Sequence, residues 1–220
     1  MILPFNIIDI VLHIDKYLLP IIQQYGIWTY AVLFILIFCE TGLIVTPFLP
    51  GDSLLFVAGT FAGAGYLDIR ILLVLMALAA FLGNTVNYWI GKEFEMKILE
   101  WKMSPVRKEH LEETRQYFEK YGSFTIVIAR FIPFIRTFAP FIAGIGKMRY
   151  TTFQKYNILG CVMWTFLFLL GGYLFGNLPI VQANFSLVVY GIVALSVIAF
   201  SPVFIRFFLS FRKEKQDNAN

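Results

Sequence analysis

The chain has 220 residues, of which 59% are hydrophobic and only 15% are charged, and its mean hydropathy is +0.73. This composition excludes an ordinary soluble domain and predicts an integral membrane protein. The net charge of +4 is low and the two cysteines, Cys39 and Cys161, both lie in apolar runs, so we expect no nucleic-acid surface, disulfide framework, metal site or cofactor.

The first part of the chain predicts one surface helix followed by two short apolar helices. Residues 1–24 mix apolar and charged positions at the spacing of a helix that lies in the membrane interface. Residues 27–39 and 53–67 are uncharged, but each is short for a helix that must cross about 30 Å of hydrocarbon. Residues 71–90 form the first run of full spanning length.

A cluster of helix-breaking residues separates the two short apolar runs. Pro47, Pro50 and Gly51 predict a turn there, because proline removes a helical hydrogen bond and biases the preceding residue toward extended conformations. Two arrangements fit this pattern. One is a hairpin of two full spans, and the other is a shallower re-entrant hairpin whose tip lies inside the protein.

The second part of the chain begins with its most polar segment. Residues 92–121 predict an amphipathic cytoplasmic helix, and residues 122–176 predict a second hairpin and a second span. Residues 184–209 predict the last transmembrane helix, and the basic tail at residues 210–220 places the C-terminus in the cytoplasm.

The distribution of basic residues favours a re-entrant second hairpin. If residues 123–146 crossed the membrane once, Lys147, Arg149 and Lys155 would lie on the opposite side from the basic segment 92–121. That arrangement conflicts with the positive-inside rule. A segment that enters and returns keeps all of these charges on one side, and Pro133 and Pro140 are the expected breaks in it.

Four charged residues lie in the apolar hairpin regions. Glu40 and Asp52 flank the first turn, and Arg130 and Arg136 flank Pro133 in the second. Because an ionised group at the bilayer centre costs roughly 2.5–3.5 kcal/mol on insertion scales, we expect the acids of one hairpin to meet the bases of the other. The two arginines reach one ligand only if the helix breaks between them, since six positions span about 240° of a regular helix.

Short internal matches indicate a repeat. Tyr88-Trp89-Ile90-Gly91 corresponds to Tyr173-Leu174-Phe175-Gly176, and Tyr25-Gly26 corresponds to Tyr121-Gly122. The predicted fold is an all-α polytopic membrane protein with two inverted repeats, 25–91 and 122–176, each a re-entrant hairpin plus a transmembrane helix.

These motifs resemble the DedA family of bacterial inner-membrane proteins, which is related to the eukaryotic VTT-domain lipid scramblases. The resemblance covers roughly residues 25–205 and rests on Glu40, on the run Pro47 to Leu54, on the run Arg130 to Thr137 and on Ala143-Gly144. It implies a multi-pass transporter of the bacterial inner membrane that moves a polyprenyl phosphate carrier lipid of the undecaprenyl phosphate class, with proton coupling. It also implies that Glu40, Asp52, Arg130 and Arg136 are functionally required.

One position departs from the family pattern. Many members carry aspartate after the glycine that corresponds to Gly83, whereas this chain has Asn84, which forms hydrogen bonds but does not titrate. Asn84, Asn87 and Tyr88 are candidate polar lining residues rather than proton carriers.

The hypothesis for the site is that Arg130 and Arg136 bind the lipid phosphate, while Glu40 and Asp52 serve as counter-ions and take up a proton. Proton-driven export of small cations or drugs, or a scaffold role, remain alternatives. An enzyme is not expected, because neither histidine belongs to a phosphatase motif. Phospholipid substrates other than polyprenyl phosphate and the oligomeric state stay open.

Overall fold

A computed structural model describes residues 22–43, 51–100, 124–132 and 135–184, together with residues 20, 187, 188 and 191. For residues 94–100 only the backbone is described. The segments predicted as the interfacial helix, most of the cytoplasmic helix, the last span and the tail lie largely outside the described residues, so those predictions stay open.

In its described part the chain is helical and contains no strand. The helices are α1 (Trp28–Gly42), α2 (Gly51–Gly63), α3 (Ile69–Glu100), α4 (Thr125–Ala129), α5 (Ile135–Ile145), α6 (Tyr150–Phe175) and α7 (Pro179–Ala183). Helices α2 and α3 are separated by a turn in which the Tyr30 hydroxyl accepts a hydrogen bond from the Asp68 amide at 2.7 Å.

Two helices are long and apolar enough to cross a membrane, namely residues Ile69–Glu93 of α3 and the whole of α6. Both present large apolar side chains to the outside, for example Val74 on α3 and Leu167 on α6, which are 67% and 58% exposed. Apolar residues exposed along helices of this length suit contact with lipid tails. The composition, the helices and the exposed faces together describe a helical membrane protein.

Two shorter helices, α1 and α5, pack along α3 and run parallel to it. The beginning of α1 lies beside the beginning of α3, and its end lies beside the middle, where a Cβ on Gly42 would be 3.2 Å from the Gly83 Cα. Helix α5 begins one turn further along α3, where Thr137 contacts Asn87. It then follows the second half of α3, and a Cβ on Gly144 would be 2.9 Å from the Lys92 amide nitrogen.

Two other short helices, α4 and α2, pack along α6 and run parallel to it. Helix α4 follows the first half of α6, with Phe124 against Tyr156 and Arg130 against Gly160. Helix α2 follows the second half, from Asp52 beside Trp164 to Thr60, whose carbonyl accepts a hydrogen bond from Asn177 at 2.9 Å.

The two long helices are antiparallel and cross near their middles. Thr85 faces Gln154, and Asn84 faces Asn157 and Cys161 further along α6. Since α1 and α4 end near this crossing and α2 and α5 begin near it, the four short helices bring their ends to the middle of the structure.

Glycines allow α2 and α6 to approach backbone to backbone. A Cβ on Gly172 would lie 1.9 Å from the Phe56 carbonyl oxygen, and one on Gly59 would lie 2.2 Å from the Leu169 carbonyl oxygen. Small residues at such positions are the usual basis of close helix packing in membranes. Helices α3 and α5 use Gly91 in the same way, against the Phe141 carbonyl oxygen at 2.2 Å.

Two features differ from the sequence-based expectation. The predicted break at Pro140 is wrong, because Pro140 lies inside α5, which continues to Ile145. Proline removes a single helical hydrogen bond, and packing of α5 on α3 holds the helix together across that gap. Helix α3 also passes Gly91 without a break and runs to Glu100.

Candidate substrate site

Acidic and basic residues from three helix ends meet at the centre of the structure. Glu40 is in the last turn of α1, Asp52 is in the first turn of α2 and Arg136 is in the first turn of α5. Arg136 Nη2 donates to Glu40 Oε1, and Arg136 Nη1 donates to Asp52 Oδ1. A single guanidinium therefore bridges both carboxylates, and the acids of the first hairpin meet a base of the second.

Gly51 is the residue that lets the Glu40 carboxylate reach the beginning of α2. The Gly51 amide donates to Glu40 Oε1 at 3.3 Å. A Cβ at this position would lie 1.9 Å from Glu40 Oε2, so any other residue would displace the carboxylate. A carboxylate at a helix N-terminus is further stabilised by the unpaired amides and dipole there.

Arg130 follows α4 and is not part of the ion-paired group. Its side chain is buried, with 4% of the residue exposed, and its Nε and Nη2 have no hydrogen-bond acceptor among the described residues. Its guanidinium faces the Cys161 thiol and the ring of Trp164, whose centre is 4.8 Å from the guanidinium carbon. Arg130 is thus a buried cation with hydrogen-bonding capacity left over.

Trp164 connects the two parts of the site. Its indole Nε1 donates to Asp52 Oδ1 at 2.8 Å, and the Arg136 guanidinium carbon lies 5.4 Å from its ring centre. Both arginines therefore contact the same ring, which is 1% exposed.

Further buried polar atoms lie next to these residues in the chain. The hydroxyls of Ser53, which follows Asp52, and of Thr165, which follows Trp164, have no partner among the described residues, and neither does Glu40 Oε2. Because a buried polar group without a partner costs about 1–3 kcal/mol, the unpartnered atoms of Arg130 and Glu40 favour a site that binds a polar ligand.

Asn84 belongs to a polar network between the two long helices. Its Nδ2 donates to Asn157 Oδ1 at 2.8 Å, and Asn157 Nδ2 is 3.3 Å from both the Gln154 Oε1 and the Phe81 carbonyl oxygen. The Cys161 thiol donates to the same Asn157 oxygen, which extends the network toward Arg130. Asn84 therefore joins the spans where they cross.

Asn87 holds two hairpin arms in place beside the charged group. Its Nδ2 donates to the Thr41 carbonyl at 3.1 Å and to the Thr137 carbonyl at 2.7 Å. Thr41 follows Glu40 and Thr137 follows Arg136, so one amide fixes the backbone next to both partners of the ion pair. Tyr88 lies further from the site, where its hydroxyl donates to the Met148 carbonyl at 2.6 Å.

The two arginines lie on different helical elements. Helix α4 ends at Ala129 and α5 begins at Ile135, so Arg130 and Arg136 are on separate elements. Pro47, Pro50 and Pro133 themselves lie outside the described residues, although α1 ends at Gly42 and α2 begins at Gly51.

Sequence reasoning missed Trp164, Asn157 and the two free hydroxyls. Trp164 had one usable signal: tryptophan is enriched at membrane interfaces, and this one lies in the middle of a span. Among the described residues no group of three His, Cys, Asp or Glu side chains is arranged to bind a metal ion.

Comparison with known proteins identifies the family. Residues 49–174 match the model of the VTT domain. The chain is 48% identical over 197 residues to Protein DedA of Escherichia coli strain K12, which covers 88% of this chain and 90% of that protein. The chain belongs to the DedA family. The family resemblance inferred from the motifs is therefore confirmed.

More distant DedA-family relatives are also membrane proteins by name. An uncharacterized membrane protein of Mycobacterium tuberculosis strain H37Rv is 41% identical over 167 residues, covering 74% of this chain and 73% of that protein. The inner membrane protein YqjA of Escherichia coli K12 is 33% identical over 155 residues and 69% of each chain. No solved structure matches the chain.

Proposed function

We propose that this DedA-family protein is a transporter that moves a polyprenyl phosphate carrier lipid, of the undecaprenyl phosphate class, across the bacterial inner membrane. The observation that carries the proposal is the state of Arg130. It is a buried guanidinium whose Nε and Nη2 have no acceptor among the described residues, and it lies beside an ion-paired group.

Phosphate suits Arg130 chemically. A guanidinium is planar, stays charged at any relevant pH and presents donors in a fork that matches two phosphate oxygens. A charge-compensated phosphate then avoids much of the cost of crossing hydrocarbon, while its polyprenyl tail stays in the lipid.

Proton coupling is the second part of the proposal. With Glu40 and Asp52 ionised, the two acids balance the two arginines before any phosphate arrives. The incoming phosphate adds negative charge, and protonation of a carboxylate restores the balance. Glu40 is the better candidate, because its Oε2 is buried without a donor among the described residues and would bear the proton without breaking a hydrogen bond.

We also propose that each pair of short helices is a re-entrant hairpin and that the two halves form an inverted repeat. The support is geometric. Helix α1 follows α3 from its beginning to its middle, and α2 follows α6 back to the same side, because α3 and α6 are antiparallel. Helix α1 has 15 residues and α2 has 13, too few to span about 30 Å at 1.5 Å per residue.

The second hairpin has the corresponding arrangement, with α4 along the first half of α6 and α5 along the second half of α3. The contacts recur at the offset of 85 positions that relates Tyr88 to Tyr173. Phe56 and Gly59 on α2 correspond to Phe141 and Gly144 on α5, and all four take part in glycine-mediated packing. This proposal keeps the C-terminus in the cytoplasm, as the basic tail predicts.

The proposal is tested in liposomes that contain the purified protein and a polyprenyl phosphate whose headgroup is accessible to an enzyme on one side only. Translocation that soluble phosphate analogues inhibit, and monovalent cations do not, supports the lipid transporter. Proton-driven exchange of a cation without lipid movement would favour the exporter, and neither activity in folded protein would favour a scaffold.

A further inference from the structure

Trp164 makes contacts that its place in an apolar span does not require. It is buried at the middle of α6, donates its N–H to Asp52 and presents its ring to the guanidinium carbons of Arg130 and Arg136, at 4.8 and 5.4 Å. A leucine would fill an apolar core position of this kind without any of these contacts, and a phenylalanine would fill it without the N–H donor.

The ring affects the two arginines in different ways because their partners differ. Arg136 is already held by the carboxylates of Glu40 and Asp52. For Arg130, no salt bridge to a described residue is present, and the ring of Trp164 faces its guanidinium. A π face stabilises a cation without accepting its N–H groups, so those donors stay available for a ligand.

The N–H of Trp164 has a complementary effect on Asp52. Asp52 Oδ1 accepts from both Trp164 Nε1 and Arg136 Nη1, which fixes the carboxylate on the side of Arg136. Without the indole donor, Asp52 would gain freedom to turn toward the other buried guanidinium. A carboxylate paired with Arg130 would compete directly with a phosphate.

We infer that Trp164 is a positioning residue that keeps Arg130 oriented and unpaired for the lipid phosphate, an inference that rests on the proposed function. The ring faces the guanidinium, and the indole N–H keeps the Asp52 carboxylate on the side of Arg136. Trp164 does not itself contact the phosphate, so its effect acts on substrate affinity through Arg130.

Two substitutions separate the two contacts. Trp164→Phe keeps an aromatic face and removes the N–H, whereas Trp164→Leu removes both. Trp28→Phe is the matched control, because Trp28 is 68% exposed at the beginning of α1. Headgroup translocation in proteoliposomes is measured over a range of polyprenyl phosphate concentrations, and folding is checked by thermal denaturation of the purified proteins.

We expect Trp164→Leu to raise KM for polyprenyl phosphate about tenfold with a much smaller change in kcat, and Trp164→Phe to raise it about threefold, in keeping with the loss of one or two contacts of modest strength. Trp28→Phe should leave both constants unchanged. A purely packing role would instead lower the denaturation temperature and kcat while leaving KM unchanged in the folded fraction, and that result would overturn the inference.

Tryptophan fluorescence gives an independent readout. Titration of the wild type and of Trp164→Phe with polyprenyl phosphate in detergent, each compared with the uncharged polyprenol, isolates the Trp164 signal as their difference. We expect a phosphate-dependent change that disappears in Arg130→Lys. Wild-type transport with an unchanged KM in Trp164→Leu would overturn the positioning role alone, whereas the absence of both transport and any phosphate-dependent signal in the wild type would overturn the proposed function as well.

Discussion

Arg136 Nη2 lies 2.5 Å from Glu40 Oε1, although 96 positions separate the two residues in the chain. This contact ties the end of α1 to the beginning of α5, and the second nitrogen of the same guanidinium ties α5 to α2. Arg130, by contrast, takes no part in these ion pairs. The two arginines of one motif therefore differ in their partners: Arg136 bridges two carboxylates, and Arg130 has no ion pair among the described residues.

This division predicts unequal effects on stability. Arg136→Gln leaves two carboxylates buried without their cation and should lower the free energy of unfolding by about 3–5 kcal/mol. Arg130→Gln removes a buried charge that has no ion partner among the described residues, so the loss should be far smaller or absent. Chemical denaturation of both variants in detergent measures the difference, and equal losses would contradict the division of roles.

Glu40→Gln should abolish proton movement that depends on substrate. The amide keeps an oxygen for Arg136 but does not bind a proton, so a pH-sensitive dye inside proteoliposomes should record no phosphate-stimulated flux. Asp68→Asn is the control, because Asp68 pairs at 3.2 Å with the exposed Arg70 at the beginning of α3, away from the site. Unchanged flux in Glu40→Gln would remove Glu40 from the coupling mechanism.

Asn87→Ala should loosen the site without touching a charge. It deletes the donor shared by the Thr41 and Thr137 carbonyls, and unsatisfied buried carbonyls should cost about 1–3 kcal/mol of stability. Transport should fall because Glu40 and Arg136 adjoin those two residues. The exposed Asn184→Ala, which also loses an amide-to-carbonyl bond, should change neither quantity measurably. A fully stable, active Asn87→Ala protein would show that the clamp is dispensable.

Neighbouring glycines on α6 offer a packing test. A Cβ on Gly172 would lie 1.9 Å from the backbone oxygen of Phe56, so Gly172→Ala should push α2 from α6 and cost about 1–3 kcal/mol or more. A Cβ on Gly171 would meet only the Phe56 ring, at 3.9 Å. Gly171→Ala should therefore be neutral or stabilising by up to about 1 kcal/mol, since alanine favours the helix. Thermal unfolding of both variants measures their stabilities. A Gly171→Ala protein less stable than the Gly172→Ala protein would contradict the close packing of α2 on α6.

The meeting of the acids with an arginine was predictable from the sequence, because an unpaired charge in an apolar membrane segment is energetically unfavourable. Glu40, Asp52 and Arg136 are expensive in an apolar segment unless they meet, and that requirement holds whatever the detailed packing. The break between Arg130 and Arg136 was predictable for a related reason, because a regular helix would point the two side chains in different directions.

Which of the two arginines pairs with the acids was not predictable, because the pairing depends on atomic geometry. Nothing in the sequence distinguishes the arginine that bridges both acids from the one that remains open. Trp164 resembles any other apolar residue of a span until its neighbours are known. Pro140 was expected to break a helix, and the tertiary packing of α5 overrides that local preference.

The central claim is that Arg130 binds the phosphate of a polyprenyl phosphate through its guanidinium fork. The most direct test is the headgroup translocation rate in proteoliposomes for the wild type, Arg130→Lys and the exposed control Arg70→Lys, whose side chain is 87% exposed in the native protein. Lysine keeps the positive charge but loses the fork. Wild-type and Arg70→Lys proteins should transport the lipid, and Arg130→Lys should fold normally yet transport at least about tenfold more slowly, the equivalent of one lost charge-assisted hydrogen bond. Equal transport by all three would contradict the claim.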